Sequence, residues 1–280
     1  MSLPEMSFLA EHWVLIVALL AAGFASGFAG GLFGIGGGVI TTPALYAIFH
    51  LLGYEEGPSL KTAIGTSLAV IIVTSVRSLA THHRAGHVDG EMLRHWAPWI
   101  AGGAGAGGLL AHWAPAELLT IIFAGGAFYV AYRRLFGRDR GHVKTINLNR
   151  RRMKVPLGFG TGFFSSLMGI GGGAMGVMVM TLAGRTMHQA IATSAGFGVA
   201  VAAPGVVGFI ISGLAAEALP PMSLGYVNLP AFAVMALMAG IAAPWGAKAA
   251  HHLDASLLSK GFGAYVLFAA GALAFDVFTG

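Results

Sequence analysis

Apolar residues in this chain fill whole stretches on every side instead of recurring along one face, and polar residues collect in the gaps. A soluble helix keeps a polar face, whereas a segment apolar all round is either buried or spans a bilayer. Taken in order, the stretches predict helices over about 13–33, 39–52, 61–80, 95–113 and 117–132, and again over about 155–168, 174–184, 188–212, 227–245 and 255–278. Several reach the roughly 20 residues that cross a hydrocarbon core. The segment 39–52 does not: some 14 residues rise about 21 Å against a core of about 30 Å. The first two segments of the second set are short as well.

The pattern is written twice. Gly34-Ile35-Gly36-Gly37-Gly38 returns as Gly169-Ile170-Gly171-Gly172-Gly173, and the match extends outward through Gly23/Gly158, Phe24/Phe159, Gly27/Gly162, Phe28/Phe163 and Leu32/Leu167. A second block, Ala63-Ile64-Gly65-Thr66-Ser67, returns as Ala190-Ile191-Ala192-Thr193-Ser194. A third pairs Ala111-His112, Leu118-Leu119 and Phe123 with Ala250-His251, Leu257-Leu258 and Phe262. Such self-similarity sets the architecture before any single motif does. It divides the chain into a first membrane repeat (1–132), a linker (133–154) and a second membrane repeat (155–280).

Composition and charge then place the chain. With 56% hydrophobic residues, 10% charged and a mean hydropathy of +0.76, it has too little polar surface to enclose a core in water. The net charge of +5 would suit a nucleic-acid partner if it were spread over a face, but much of the basic charge lies in 133–154, including Arg133, Arg134, Arg138, Arg140 and Arg150 to Arg152. That concentration is a topology signal, so the linker is expected to be cytoplasmic and no nucleic-acid partner is implied. Counting crossings from it leaves both termini outside, and Lys61 alone on the wrong side. Glu5 and Glu11 stand where a cleavable signal peptide would carry positive charge, so the first apolar run is expected to be retained. Five segments per repeat, an odd number, insert the second copy upside down. The expected fold class is therefore an all-α polytopic membrane protein of 8–10 transmembrane segments in two inverted-topology repeats, an arrangement that makes alternating access available. The absence of cysteine excludes disulfides and thiolate chemistry.

The candidate chemistry sits at the duplicated blocks. Helix propensity through either glycine run is too low for a continuous helix, so the chain should unwind there. Unpaired backbone at membrane depth must be buried or line a polar cavity. A helix restarting beyond it points N–H groups and its positive dipole end at that cavity, which favours an anion. The candidate substrate-binding residues are Gly36, Gly37, Gly38, Thr41, Thr66, Ser67, Gly171, Gly172, Gly173, Thr193 and Ser194. The hydroxyls among them could donate to anionic oxygens or bond back to their own helices. The pairs His82-His83 and His251-His252 invite a metal reading, but neighbours on a helix do not face each other and no carboxylates accompany them, so neither a metal nor a cofactor is expected. No carboxylate falls well inside a span, Asp276 lying near the end of the last, and no acid/base pair or activated nucleophile stands out, so an enzyme is not expected.

The glycine motifs and the hydroxyl blocks also carry a family resemblance. Phe33 to Gly38 followed by Pro43, then Ala63 to Ser67, then Arg84-Ala85-Gly86-His87-Val88-Asp89, with Gly169 to Gly173 and Ala190 to Ser194 in the second half, resemble the sulfite exporter TauE/SafE family from about Leu15 to Phe275. The resemblance implies transport of a small sulfur-containing oxyanion, such as sulfite or an organosulfonate, usually outward across the bacterial inner membrane. The second half departs from it at Met178, where the pattern would place a proline matching Pro43. A non-transporting membrane assembly subunit and a channel for small neutral solutes remain alternatives. The implied partners are a small anion and the lipid bilayer, with homo-oligomerisation left open.

Overall fold

Helix α1 (Leu3–Phe33) runs unbroken to the first glycine run, and α2 (Gly38–Leu51) starts on its far side. They belong to a computed structural model that describes residues 3–115 and 151–254 throughout, with parts of 117–132 and 256–267. The chain continues through α3 (Glu56–Arg84) and α4 (Gly90–Leu110), then α5 (Arg151–Met168), α6 (Gly173–Leu182) and α7 (Met187–Gly213). A two-residue hairpin, β1 (Ser223–Leu224) antiparallel to β2 (Val227–Asn228), leads into α8 (Leu229–His252). The described residues within 117–132 and 256–267 are helical. The rest of the fifth segment of each set lies outside the described residues, as do linker residues 133–150 and Asp276. The protein is an all-α, multi-pass membrane protein. Among the described residues four helical stretches are long and apolar enough to cross, Trp13–Phe33, Glu56–Arg84, Met187–Gly213 and Leu229–His252.

Several helices outrun their apolar stretches, because hydropathy ends where side chains turn polar while backbone hydrogen bonding continues. Helix α5 begins at Arg151, inside the stretch read as linker, and arginine is a good helix former. The two His-His pairs, which lie beyond the ends of the expected helices 61–80 and 227–245, form the last turns of α3 and α8. Helix α4 starts at Gly90 rather than near His95, because Asp89 caps it by accepting from the Met92 N–H at 3.0 Å. Asn228 caps α8 in the same way, accepting from Ala231 at 3.0 Å.

The helices pair in matched sets. The first helix of each half lies along the fourth helix of the other, α1 on α8 and α5 on α4. Helix α3 packs on α8 as α7 packs on α4, while α2 lies on α3, α6 on α7, and α3 against α7. In lipid no hydrophobic force draws helices together, so close backbone approach between small residues must do it. A Cβ at Gly27 or Gly31 would overlap the backbone of Ala239 or Ala243, and one at Gly162 the backbone of Ile100.

A reciprocal latch fixes the register of these pairs. The backbone N–H of Asn228 donates to Thr66 Oγ1 at 2.9 Å, and that of Asp89 donates to Thr193 Oγ1, also at 2.9 Å. Each threonine thus receives the N–H of the residue that caps a helix in the opposite half. Asp89 further pairs with Arg185 at 2.7 Å. Thr66→Val keeps the shape but strands a buried N–H, and is expected to cost about 1–3 kcal/mol of stability. Thermal unfolding in detergent checks this.

Candidate functional site

Both glycine runs unwind, and their backbones take conformations closed to most side chains. Gly34, Gly36 and Gly37 have φ of 69°, 72° and 85°, and Gly169 and Gly171 have 63° and 72°. These left-handed values suit glycine alone at little cost. Helix α2 starts from Gly37 and α6 from Gly172, which differs from its counterpart with φ −64°.

The two runs are pressed together inside the protein. A Cβ on Gly38 would overlap the Gly169 carbonyl oxygen and come within 2.8 Å of Ile170 Cα. One on Gly173 would overlap Ile35 Cα and the Gly34 carbonyl oxygen. The N-termini of α2 and α6, each carrying N–H groups without intrahelical acceptors and a positive dipole end, therefore open from one shared core.

Hydroxyls cover the carbonyls that would offset this positive character. Gly169 O accepts from Ser67 Oγ at 2.9 Å and Thr42 Oγ1 at 3.3 Å, and Gly36 O accepts from Thr74 Oγ1 at 2.7 Å. Gly37 O lies 3.0 Å from Ser26 Oγ and 3.2 Å from Thr41 Oγ1, and those two hydroxyls are 2.6 Å apart, so one of them donates to the carbonyl and the other donates to its neighbour. Carbonyl dipoles so occupied oppose an incoming anion less, and the N–H groups dominate the local field.

Of the residues singled out in the sequence, the glycines, Thr41 and Ser67 meet at this core. Thr66 and Thr193 are engaged in the latch instead. Ser194 Oγ is buried, lies beside Gly176, and has no hydrogen-bond partner among the described residues. The sequence reading missed Ser26, Thr74, Ser75 and Ser78. Ser75 Oγ lies against Gly36 and Gly198, and the Ser75 and Ser78 hydroxyls are also buried without partners among the described residues. A signal for them existed: Ser67, Thr74, Ser75 and Ser78 fall near one face of α3 at helical spacing within an otherwise apolar run. Each buried hydroxyl left unpaired costs about 1–3 kcal/mol, so an unpaired set calls for a reason.

The histidines gather in a way adjacent pairs could not foretell. One from each pair meets across the halves, His82 and His251 having ring centres 5.0 Å apart, while His87 lies 4.8 Å from His251 and 6.1 Å from His188. His82 Nε2 is tied to the Gly31 carbonyl and His188 Nε2 to that of Leu253. Among the described residues no three His or acidic side chains are arranged to hold a metal ion. Lys61, out of place by the charge rule, is held by a 2.7 Å hydrogen bond to the His112 carbonyl.

With two broken hairpins meeting through their glycines in a multi-pass helical protein, comparison with known proteins decides the family. The model described as sulfite exporter TauE/SafE matches residues 19–273. The chain belongs to this family. A probable membrane transporter protein of Haemophilus influenzae is 33% identical over 91% of this chain and 96% of its own length. Another from Methanocaldococcus jannaschii is 27% identical over 81% of this chain and 83% of its own. The TauE/SafE match takes in both glycine runs and both hydroxyl blocks. No solved structure matches the chain.

Proposed function

We propose that this TauE/SafE protein exports a small sulfur-containing oxyanion, sulfite or an organosulfonate, across the bacterial inner membrane. The observation that carries the reading is the direct contact of two glycine turns from which two short helices start, beside hydroxyls that no described protein group satisfies. The anion binds where the N-termini of α2 and α6 converge, accepting backbone N–H groups together with Ser75 and Ser194, while Ser67, Thr41 and Thr74 hold the carbonyls aside. Thr66 and Thr193 position the site through the latch. The two repeats lie inverted in the membrane, with the basic linker cytoplasmic and both termini outside, and exchange conformations to alternate access. The family name supports the substrate class, and the names of the relatives support transport.

An inside-negative potential drives an anion outward by about 2.3 kcal/mol per charge per 100 mV, so no carboxylate relay is needed. Counterflow in proteoliposomes with sulfite, a small organosulfonate, sulfate and a carboxylate tests the proposal. Sulfite or the sulfonate should exchange, and an inside-negative potential should accelerate efflux. Exchange of neutral solutes without response to voltage, or no exchange at all, would sink the reading.

A further inference from the structure

Arg77 lies inside the span of α3, away from the glycine core. A guanidinium in a membrane helix needs polar partners or water. Its Nε donates to the Gly240 carbonyl of α8 at 3.2 Å. That carbonyl is available because the residue four positions on, where a helix would supply an N–H, is Pro244. Fixed there, Arg77 lines a cavity of about 440 Å³ between α3 and α8, which Arg84, Lys248, His251 and Pro244 also line. Among the described residues no acidic side chain lines it.

The cavity opens on the outside of the bundle. Helical periodicity puts Arg77, Ala80 and Arg84 on the face of α3 opposite Ser75, Ser78 and His82, and these last three are buried while the first three are exposed. Exposed apolar side chains adjoin it on the same two helices: Val76 on α3, 48% exposed, and Leu237 and Ile241 on α8, 60% and 43%. A path for a transported anion would have polar walls leading inward, whereas this groove joins cationic helix ends to apolar surface. The charge rule for topology explains the sign of these residues. It does not explain why cations from two helices surround one cavity with one of them anchored in place.

We propose that this groove binds the phosphate headgroup of an anionic phospholipid, whose acyl chains lie over Val76, Leu237 and Ile241. Arg77, Arg84 and Lys248 hold the phosphate, and because α3 and α8 come from different halves the lipid bridges them.

The test needs no flux measurement and so stands apart from the transport proposal. The full chain is purified with phosphatidylglycerol or phosphatidylcholine, and retained lipid is counted by native mass spectrometry, with thermal stability measured alongside. The double variant Arg84→Gln/Lys248→Gln leaves the Arg77 bond to Gly240 intact. It should retain at least about tenfold less phosphatidylglycerol and lose the stabilisation that lipid confers, as expected for the loss of two cations. Should the double variant fail to fold, Lys248→Gln, at an exposed position, gives the same readout with a loss of about fivefold. Equal retention by variant and parent, or equal retention of phosphatidylcholine, would overturn the proposal. So would variant-sensitive stabilisation by inorganic phosphate or sulfite in lipid-free detergent, which would make the groove a site for soluble anions.

Discussion

Gly173→Ala, and separately Gly38→Ala, should abolish anion exchange while leaving a protein that inserts and purifies as a folded species. A Cβ at either position overlaps backbone of the opposite glycine run, at Gly34 and Ile35 in one case and at Gly169 and Ile170 in the other. Side chains can rotate out of the way, but these backbones can only separate. Separation moves the starts of α2 and α6 apart, and a displacement of about 1 Å in a preorganised site costs about 100-fold in activity. Gly102→Ala is the control, since its Cβ would enter open space on a helix; it should exchange anion normally and be slightly more stable. Initial exchange rates in proteoliposomes, read with thermal unfolding, separate lost geometry from lost folding. Near-normal exchange by either core variant would mean that the contact between the runs does not shape the site.

The second large effect is a pair of opposite signs. Ser75 and Ser194 hydroxyls are buried without partners among the described residues, and removing an unsatisfied buried group relieves its desolvation penalty of about 1–3 kcal/mol. Ser75→Ala/Ser194→Ala should therefore unfold at a higher temperature than the parent. If those hydroxyls donate to a bound oxyanion, the same variant loses two hydrogen bonds to a charged group, each worth about 1.5–3 kcal/mol, and its apparent KM rises at least about 100-fold. A merely structural role would shift stability and leave the KM alone. A variant less stable than the parent, with unchanged affinity, would remove both residues from the site.

Much of this was legible in the residues themselves. The break at Gly34 to Gly37 follows from local energetics, since several glycines in succession cannot sustain a helix against lipid. The 14-residue length of α2 follows from the same run and the polar end of the next stretch. The roles of the hydroxyls were not legible. Thr66 and Ser67 are neighbours with the same chemistry, yet one accepts from Asn228 and the other donates to Gly169 O, because adjacent positions on α3 face different partners.

By itself the amino-acid order determined where the helices break at the glycine runs, which stretches are apolar enough for a membrane, that the glycine and hydroxyl blocks are written twice, and which family the chain belongs to. Those properties depend on local propensity, on transfer free energy and on identity of residues, all of which are read along the chain. Tertiary structure alone decided that α1 lies on α8, that the glycine runs touch, that Thr66 and Thr193 serve as latches, and that Arg77 takes the carbonyl freed by Pro244. In lipid the protein interior and its surroundings are equally apolar, so hydrophobic pattern marks a span without marking the face it buries. Which faces meet, and which hydroxyls are left over for a ligand, is settled only when the helices pack.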